Sequence, residues 1–290
     1  MERIFLSIAG FTICLIADED SKIALDDGYF PFVIPGQSND PDIIIRTKKG
    51  IPKELLNKKH LIFEAKNELR KYFSIYQHME SYKFIIYDQQ VENKIQQIAI
   101  LDREYTNWVI YTNPNEEDNN LYPLQYPLGP IVFYYFTVKL DAIMIHASGV
   151  FDGLKGRVFS GFSGTGKSTM AELWQKSGSL IINDDRLIIR KRNAGFEIHN
   201  TPMFYPDMPK MAPLHSINLI YHSKGNCIKK LSGTEAISRI MTCCIQHDYD
   251  KRIIEHQLSF ISSITEQIPV YEVGFFPNEK IVDFITDYAG

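Results

Sequence analysis

Residues Gly161-Phe162-Ser163-Gly164-Thr165-Gly166-Lys167-Ser168 match G-x-x-x-x-G-K-[ST], the spacing of a phosphate-binding loop. Glycines at these positions let successive backbone N–H groups turn inward around phosphate oxygens. Lys167 reaches β- and γ-phosphates, and a hydroxyl at Ser168 ligates Mg²⁺. The expected nucleotide contacts are Gly161, Ser163, Gly164, Thr165, Gly166, Lys167, Ser168 and Thr169. Asp184 and Asp185 follow Lys167 by 17 and 18 residues. Paired carboxylates there suit two tasks in phosphoryl transfer: holding Mg²⁺ and accepting a proton from an attacking hydroxyl. The competing readings are a glycine-rich turn with no ligand and a solvated acidic β-turn. His146, 21 residues before Lys167, is by itself more readily a structural histidine.

These residues need particular elements to hold them. Ile143–His146 and Arg157–Ser160 read as strands joined by a turn at Asp152-Gly153, so a hairpin feeds the glycine loop. Residues Ser168 to Lys176 read as a helix closed by Gly178 at its C′ position, which places a helix N-terminus against the phosphate site. Leu180-Ile181-Ile182 reads as a buried strand running into the acids, and strand carboxyl ends are where ligands sit in open α/β sheets. Arg186–Arg190 and Phe196–Ile198 form a second predicted hairpin across Asn193-Ala194-Gly195. Ser232-x-x-Glu235 reads as a capping box. A helix is expected over Lys251–Thr265, a strand over Val270–Phe275, and a C-terminal helix opening at Pro277.

The first ~120 residues read instead as short apolar runs, such as Ile43-Ile44-Ile45, Phe84–Tyr87 and Trp108–Tyr111, between polar turns. Ile4–Ala17 is apolar, and the acids Asp18-Glu19-Asp20 follow it. Gly10 divides it into β-branched halves, and Met1-Glu2-Arg3 lacks the net positive charge of a secretory leader, so strand–turn–strand is expected. Asn113–Asn120 is the expected linker or exposed loop, and Ile131–Leu140 a helix buried on all sides.

Composition limits the classes. With 44% hydrophobic and 23% charged residues, the 290-residue chain is globular and long enough for one large or two ordinary domains. A net charge of -4 gives no footprint for general nucleic-acid binding. Four cysteines without C-x-x-C spacing read as reduced thiols, and a nucleotide site fits a cytoplasmic protein with no membrane partner.

Residues 140–290 resemble the catalytic domain of HPr kinase/phosphorylase and the shorter HprK-related serine kinases. The resemblance rests on Ile145-His146-Ala147-Ser148-Gly149 leading into Gly161–Thr169, on Leu173-Trp174, and on Leu180-Ile181-Ile182-Asn183-Asp184-Asp185-Arg186. Thr201-Pro202-Met203, Pro213-Leu214, Leu231-Ser232 and Ile268–Val273 extend it. It implies an α/β fold: a mixed-sheet P-loop domain of the phosphoenolpyruvate-carboxykinase/HPr-kinase type over residues 126–290. A β-rich α+β domain over residues 1–125, for substrate or partner recognition, precedes it. It further implies an ATP- and Mg²⁺-dependent kinase of a hydroxyl, the serine of a protein or peptide, with homo-oligomers as in HPr kinases. In that scheme Lys167 binds phosphates, Ser168 and Asp184 hold Mg²⁺, Asp185 accepts the hydroxyl proton, and His146 sits by the transferred phosphate. The two aspartates are interchangeable in these roles.

The chain departs from the family where HPr kinases carry a glycine-rich segment with an acid and basic residues; here it reads His199–Asp207. HPr itself as substrate, the phosphorylase activity and a further metal acid at Asp207 are therefore not implied. Arg186, Arg190 and Arg239 are weighed as anion contacts, with structural pairing favoured for each. Two other readings remain: a small-molecule kinase or carboxykinase-like enzyme, which metabolite turnover would reveal, and a catalytically inactive ATP-binding regulatory module, which would bind ATP without transfer.

Overall fold

The computed structural model describes residues 2–18, 20–36, 40–193, 195–247 and 250–289; Met1, Glu19 and Ala194, named above, lie outside them. The chain forms two compact units. The first comprises residues up to Lys139, with Pro202–Met208 and a short stretch beginning at Gln246. The second comprises Leu140–Thr201, Pro209–Ile245 and the chain from Asp250 onward. Residues 126–139, grouped with the second half on sequence, therefore cluster with the first unit. Both units are mixed α/β structures built on large mixed sheets.

In the first unit the strands are β1 (Arg3–Ile8), β2 (Phe11–Ala17), β3 (Ile43–Lys49), β4 (Leu61–Lys66), β5 (Lys71–His78), β6 (Ser81–Tyr87), β7 (Ile95–Asp102) and β8 (Asn107–Thr112). They lie in the order β1-β2-β3-β8-β7-β6-β5-β4, with β2, β3 and β8 parallel. The apolar run at Ile4–Ala17 is the β1–β2 hairpin, turning at Ala9-Gly10 with both residues at positive φ. Helix α1 (Leu128–Lys139) is buried at Leu128, Gly129 and every position from Ile131 to Val138, because its aromatics leave no polar face. Phe11 meets Phe136 at 5.2 Å, and Phe84 meets Tyr135 at 5.3 Å. Residues 113–120 form a largely exposed turn inside this unit, a loop and not a linker.

The second unit contains β9 (Ala142–Phe151), β10 (Gly156–Ser160), α2 (Lys167–Lys176), β11 (Leu180–Asn183), β12 (Arg186–Arg192), β13 (Gly195–Asn200), β14 (Met211–His222), β15 (Cys227–Leu231), α3 (Gly233–Met241), α4 (Lys251–Gln267), β16 (Val270–Phe275) and α5 (Lys280–Ala289). Its strand order is β10-β9-β12-β13-β14-β16-β15, with β11 beside β9. A further β10–β14 pairing returns the path to its start, so β10, β9, β12, β13 and β14 form a closed circuit. Two long strands make this possible: β9 pairs with β12 over its first half and with β10 over its second, while β14 passes from β13 to β10 and β16. Ile143, Ile145, Ile198, Ile217 and Ile261 pack into one core, and Phe159, Trp174, Val273 and Ile285 into another.

Three local expectations change. Leu180 is 48% exposed, because β11 is an edge strand paired only with β9. Ser232 stands at the N-cap of α3 but its side chain makes no capping bond; Glu235 is drawn to Lys229 on β15 at 3.3 Å. Helix α5 opens at Lys280, where Asn278 Oδ1 accepts from the Lys280 N–H at 3.1 Å, so the cap follows Pro277. Among the described residues, no helix is long and apolar enough to cross a membrane. All four cysteines are free thiols, Cys227 exposed and Cys14 buried.

Candidate functional site

Strands β10, β14 and β16 are mutually parallel in that order, so their carboxyl ends lie side by side. The loop from Gly161 leaves β10 at this edge and enters α2 at Lys167. Gly164 and Gly166 have φ of 80° and 90°, a left-handed conformation that side chains resist. At Gly166 a Cβ would also stand 2.8 Å from the Phe275 ring. The first helical bond runs from Met170 N to Gly166 O at 2.9 Å, leaving the amides of the first turn free of intrahelical partners. That end of α2 carries positive partial charge and suits an anion.

Inside the loop, Lys167 Nζ donates to the carbonyls of Gly161 and Phe162, each at 3.2 Å. Thr165 donates to the same Phe162 carbonyl through its N–H at 3.3 Å and its hydroxyl at 2.8 Å. Ser163, Ser168 and Thr169 are exposed. The lysine charge therefore lies across the loop with hydroxyls on its rim.

The acid pair follows β11, whose register against β9 places Asn183 opposite Gly149. On the other flank Arg186 of β12 pairs with His146 of β9. His146 and Ser148, two residues apart on β9, each meet one acid: Ser148 Oγ donates to Asp184 Oδ1, and His146 Nε2 stands 3.6 Å from Asp185 Oδ1. Asp184 N donates to Asn183 Oδ1 at 2.7 Å, and Arg186 Nε pairs with Asp185 Oδ2 at 2.9 Å. Burial, then the nearby Lys167 ammonium, holds the His146 imidazole below its ordinary value, against the opposite pull of Asp185. At neutral pH this histidine is an uncharged ring beside a carboxylate.

The donor set bears on metal binding. Among the described residues, no group of three or more His, Cys, Asp or Glu side chains could hold a metal ion. By donor chemistry, carboxylate and hydroxyl oxygens such as those of Asp184, Asp185 and Ser168 are of the kind that suits Mg²⁺, an ion that keeps several waters and takes other ligands from substrate phosphates.

Sequence reasoning missed three contacts. Ser160 Oγ donates to the His146 carbonyl at 2.7 Å, Ser148 holds Asp184, and His222 Nε2 bonds the Gly164 carbonyl at 2.9 Å. A usable signal for His222 is the apolar run ending at its position, which marks the carboxyl end of a strand. Arg239 pairs with Glu272, away from this role, and Arg190 lies at the far end of the β12–β9 pairing, opposite Ala142. Asp207 falls in the first unit.

No family model matches the chain, and no curated protein matches it. Among solved structures, the Hpr(Ser) kinase/phosphatase from Coxiella burnetii is similar over 49% of this chain and 91% of its own, with 11% sequence identity and a TM-score of 0.30.

Proposed function

We propose that the second unit is an ATP- and Mg²⁺-dependent phosphotransferase whose acceptor is a hydroxyl, the serine of a protein or peptide. The observation that carries this reading is the meeting of three parts on adjacent strands: the Lys167 loop after β10, the Asp184-Asp185 pair after β11, and His146 on β9 between them. Lys167 and the first-turn amides of α2 bind the phosphates and offset charge that grows on them during transfer. Ser168 and Asp184 would hold the Mg²⁺ that accompanies the nucleotide, which would supply positive charge against the phosphates. The acceptor oxygen bonds to the γ-phosphorus as the bond to the β–γ bridging oxygen breaks, its proton passes to Asp185, and ADP leaves. Arg186 and neutral His146 keep the Asp185 carboxylate aimed at that proton.

The test is transfer from γ-labelled ATP to serine-bearing peptides, compared with Lys167→Ala and Asp185→Asn. Loss of the general base is expected to slow transfer by about 10²- to 10⁴-fold. Transfer unaffected by both changes sinks the assignment. ATP binding without transfer or hydrolysis would instead mark a nucleotide-binding regulatory module.

A further inference from the structure

We infer that His222 is a positioning residue for the phosphate cradle, fixing the peptide plane between Gly164 and Thr165; this rests on the nucleotide reading above. A carbonyl only accepts, so the 2.9 Å contact has His222 Nε2–H donating to Gly164 O. In a trans peptide the carbonyl and the following N–H point in opposite directions. With the Gly164 oxygen held toward His222, the Thr165 N–H faces the side where Phe162 O receives both it and Lys167 Nζ. The same carbonyl orients the Lys167 ammonium, which under the proposed function meets the phosphate. A flipped plane would break the Thr165 N–H bond to Phe162 O and set an oxygen against the carbonyl that also receives Lys167, and glycine at position 164, with φ of 80°, does little to resist the flip.

The clamp is built into the sheet. His222 is the last residue of β14 and stacks on Phe275, the last residue of β16, with ring centroids 5.7 Å apart and planes 28° apart. Register sets the two residues opposite one another. The Phe275 ring in turn lies under Gly166, where a Cβ would also approach His222 Cε1 to 3.4 Å. Two neighbouring strand ends thus hold alternate glycines of the loop, one by a hydrogen bond and one by contact.

The experiment is calorimetric titration with Mg²⁺ and a non-hydrolysable ATP analogue, using wild type, His222→Phe and His222→Gln, with steady-state kinetics alongside. Phe keeps an aromatic ring for the stack but has no donor; Gln restores a donor. The Phe variant is expected to bind about tenfold more weakly, with KM raised and kcat changed little, and Gln to recover affinity to within about threefold of wild type. Should Phe fail to fold, Asn, too short to reach Gly164, takes its place. Wild-type affinity in the donor-less variant overturns the inference while leaving the nucleotide site standing, as does Gln binding no better than Phe. A wild-type protein that does not bind the analogue overturns both.

Discussion

Ser160, the last residue of β10, donates its hydroxyl to the main-chain carbonyl of His146 on β9 at 2.7 Å. The strand that ends in the glycine loop is thereby tied to the strand that carries the histidine beside Asp185. The serine itself is fully enclosed, and the bond as a whole is part-buried.

Replacing Ser160 with Ala leaves a carbonyl short of a partner at the joint between loop and acids. A stability loss of about 1 kcal/mol is expected in denaturant titration. Transfer should fall about tenfold, since small displacements of reacting groups are costly. Unchanged kinetics together with the stability loss would show that the joint does not align the site.

The His146 imidazole should titrate below its ordinary value of 6.5, because burial and then Lys167 disfavour the charged ring. The folded state therefore favours the neutral form. Its contribution to stability is complete above the unfolded value and declines as pH falls through the lowered folded one. In an NMR titration Lys167→Ala should move the midpoint upward, toward the ordinary value. A wild-type midpoint at or above 6.5 contradicts the arrangement.

Gly166→Ala places a methyl 2.8 Å from the Phe275 ring at a φ of 90°. Strain of this kind costs on the order of 1–3 kcal/mol. Thermal unfolding should show the loss, and nucleotide affinity should weaken by more than tenfold as the loop shifts. Pairing it with Phe275→Leu should recover part of the affinity if ring contact is the cause.

Arg157 is buried, with its guanidinium 4.6 Å from the Trp174 ring centroid and paired to Asp152 in the turn before β10. Burial raises the Asp152 carboxyl, yet its bonds to Arg157 and to the turn amides of Lys155 and Leu154 bring it below its ordinary value. Arg157→Met removes one partner of a carboxylate that the turn amides still hold, together with the contact on Trp174, and should cost about 1 kcal/mol, read as a lowered Tm. Arg157→Lys should rescue only in part, because an ammonium cannot stack on Trp174 and reach Asp152 as a planar fork does. Full rescue by Lys would mean that charge alone matters there.

The placement of the glycine loop between a strand and a helix, and of the acid pair after a strand, was legible because that information is local. Glycine spacing, the lysine and the following helix lie within one short stretch, and Asp184 and Asp185 sit where an apolar run stops. His222 was not legible: it reaches Gly164 across 58 residues, and only the parallel register of β10 on β14 brings them together. Strand periodicity carries no such register. The unit to which residues 126–139 belong was equally hidden, because α1 has no polar face to say which side meets a core. The Ser232–Glu235 pattern misled for a different reason. Its glutamate had a competing cation on a neighbouring strand, Lys229, which sequence spacing does not register.

The closed circuit of strands in the second unit also bears on how the protein behaves at high concentration. Every strand in the circuit is paired on both sides, and so is β16. Among the described residues, the open edges of this unit are β11, four residues long, and β15, which exposes Lys229 and Lys230. A short strand and a lysine-bearing one are both poor templates for edge-to-edge association. Neutralising the two lysines would remove the safeguard on β15 and open that edge to a second molecule.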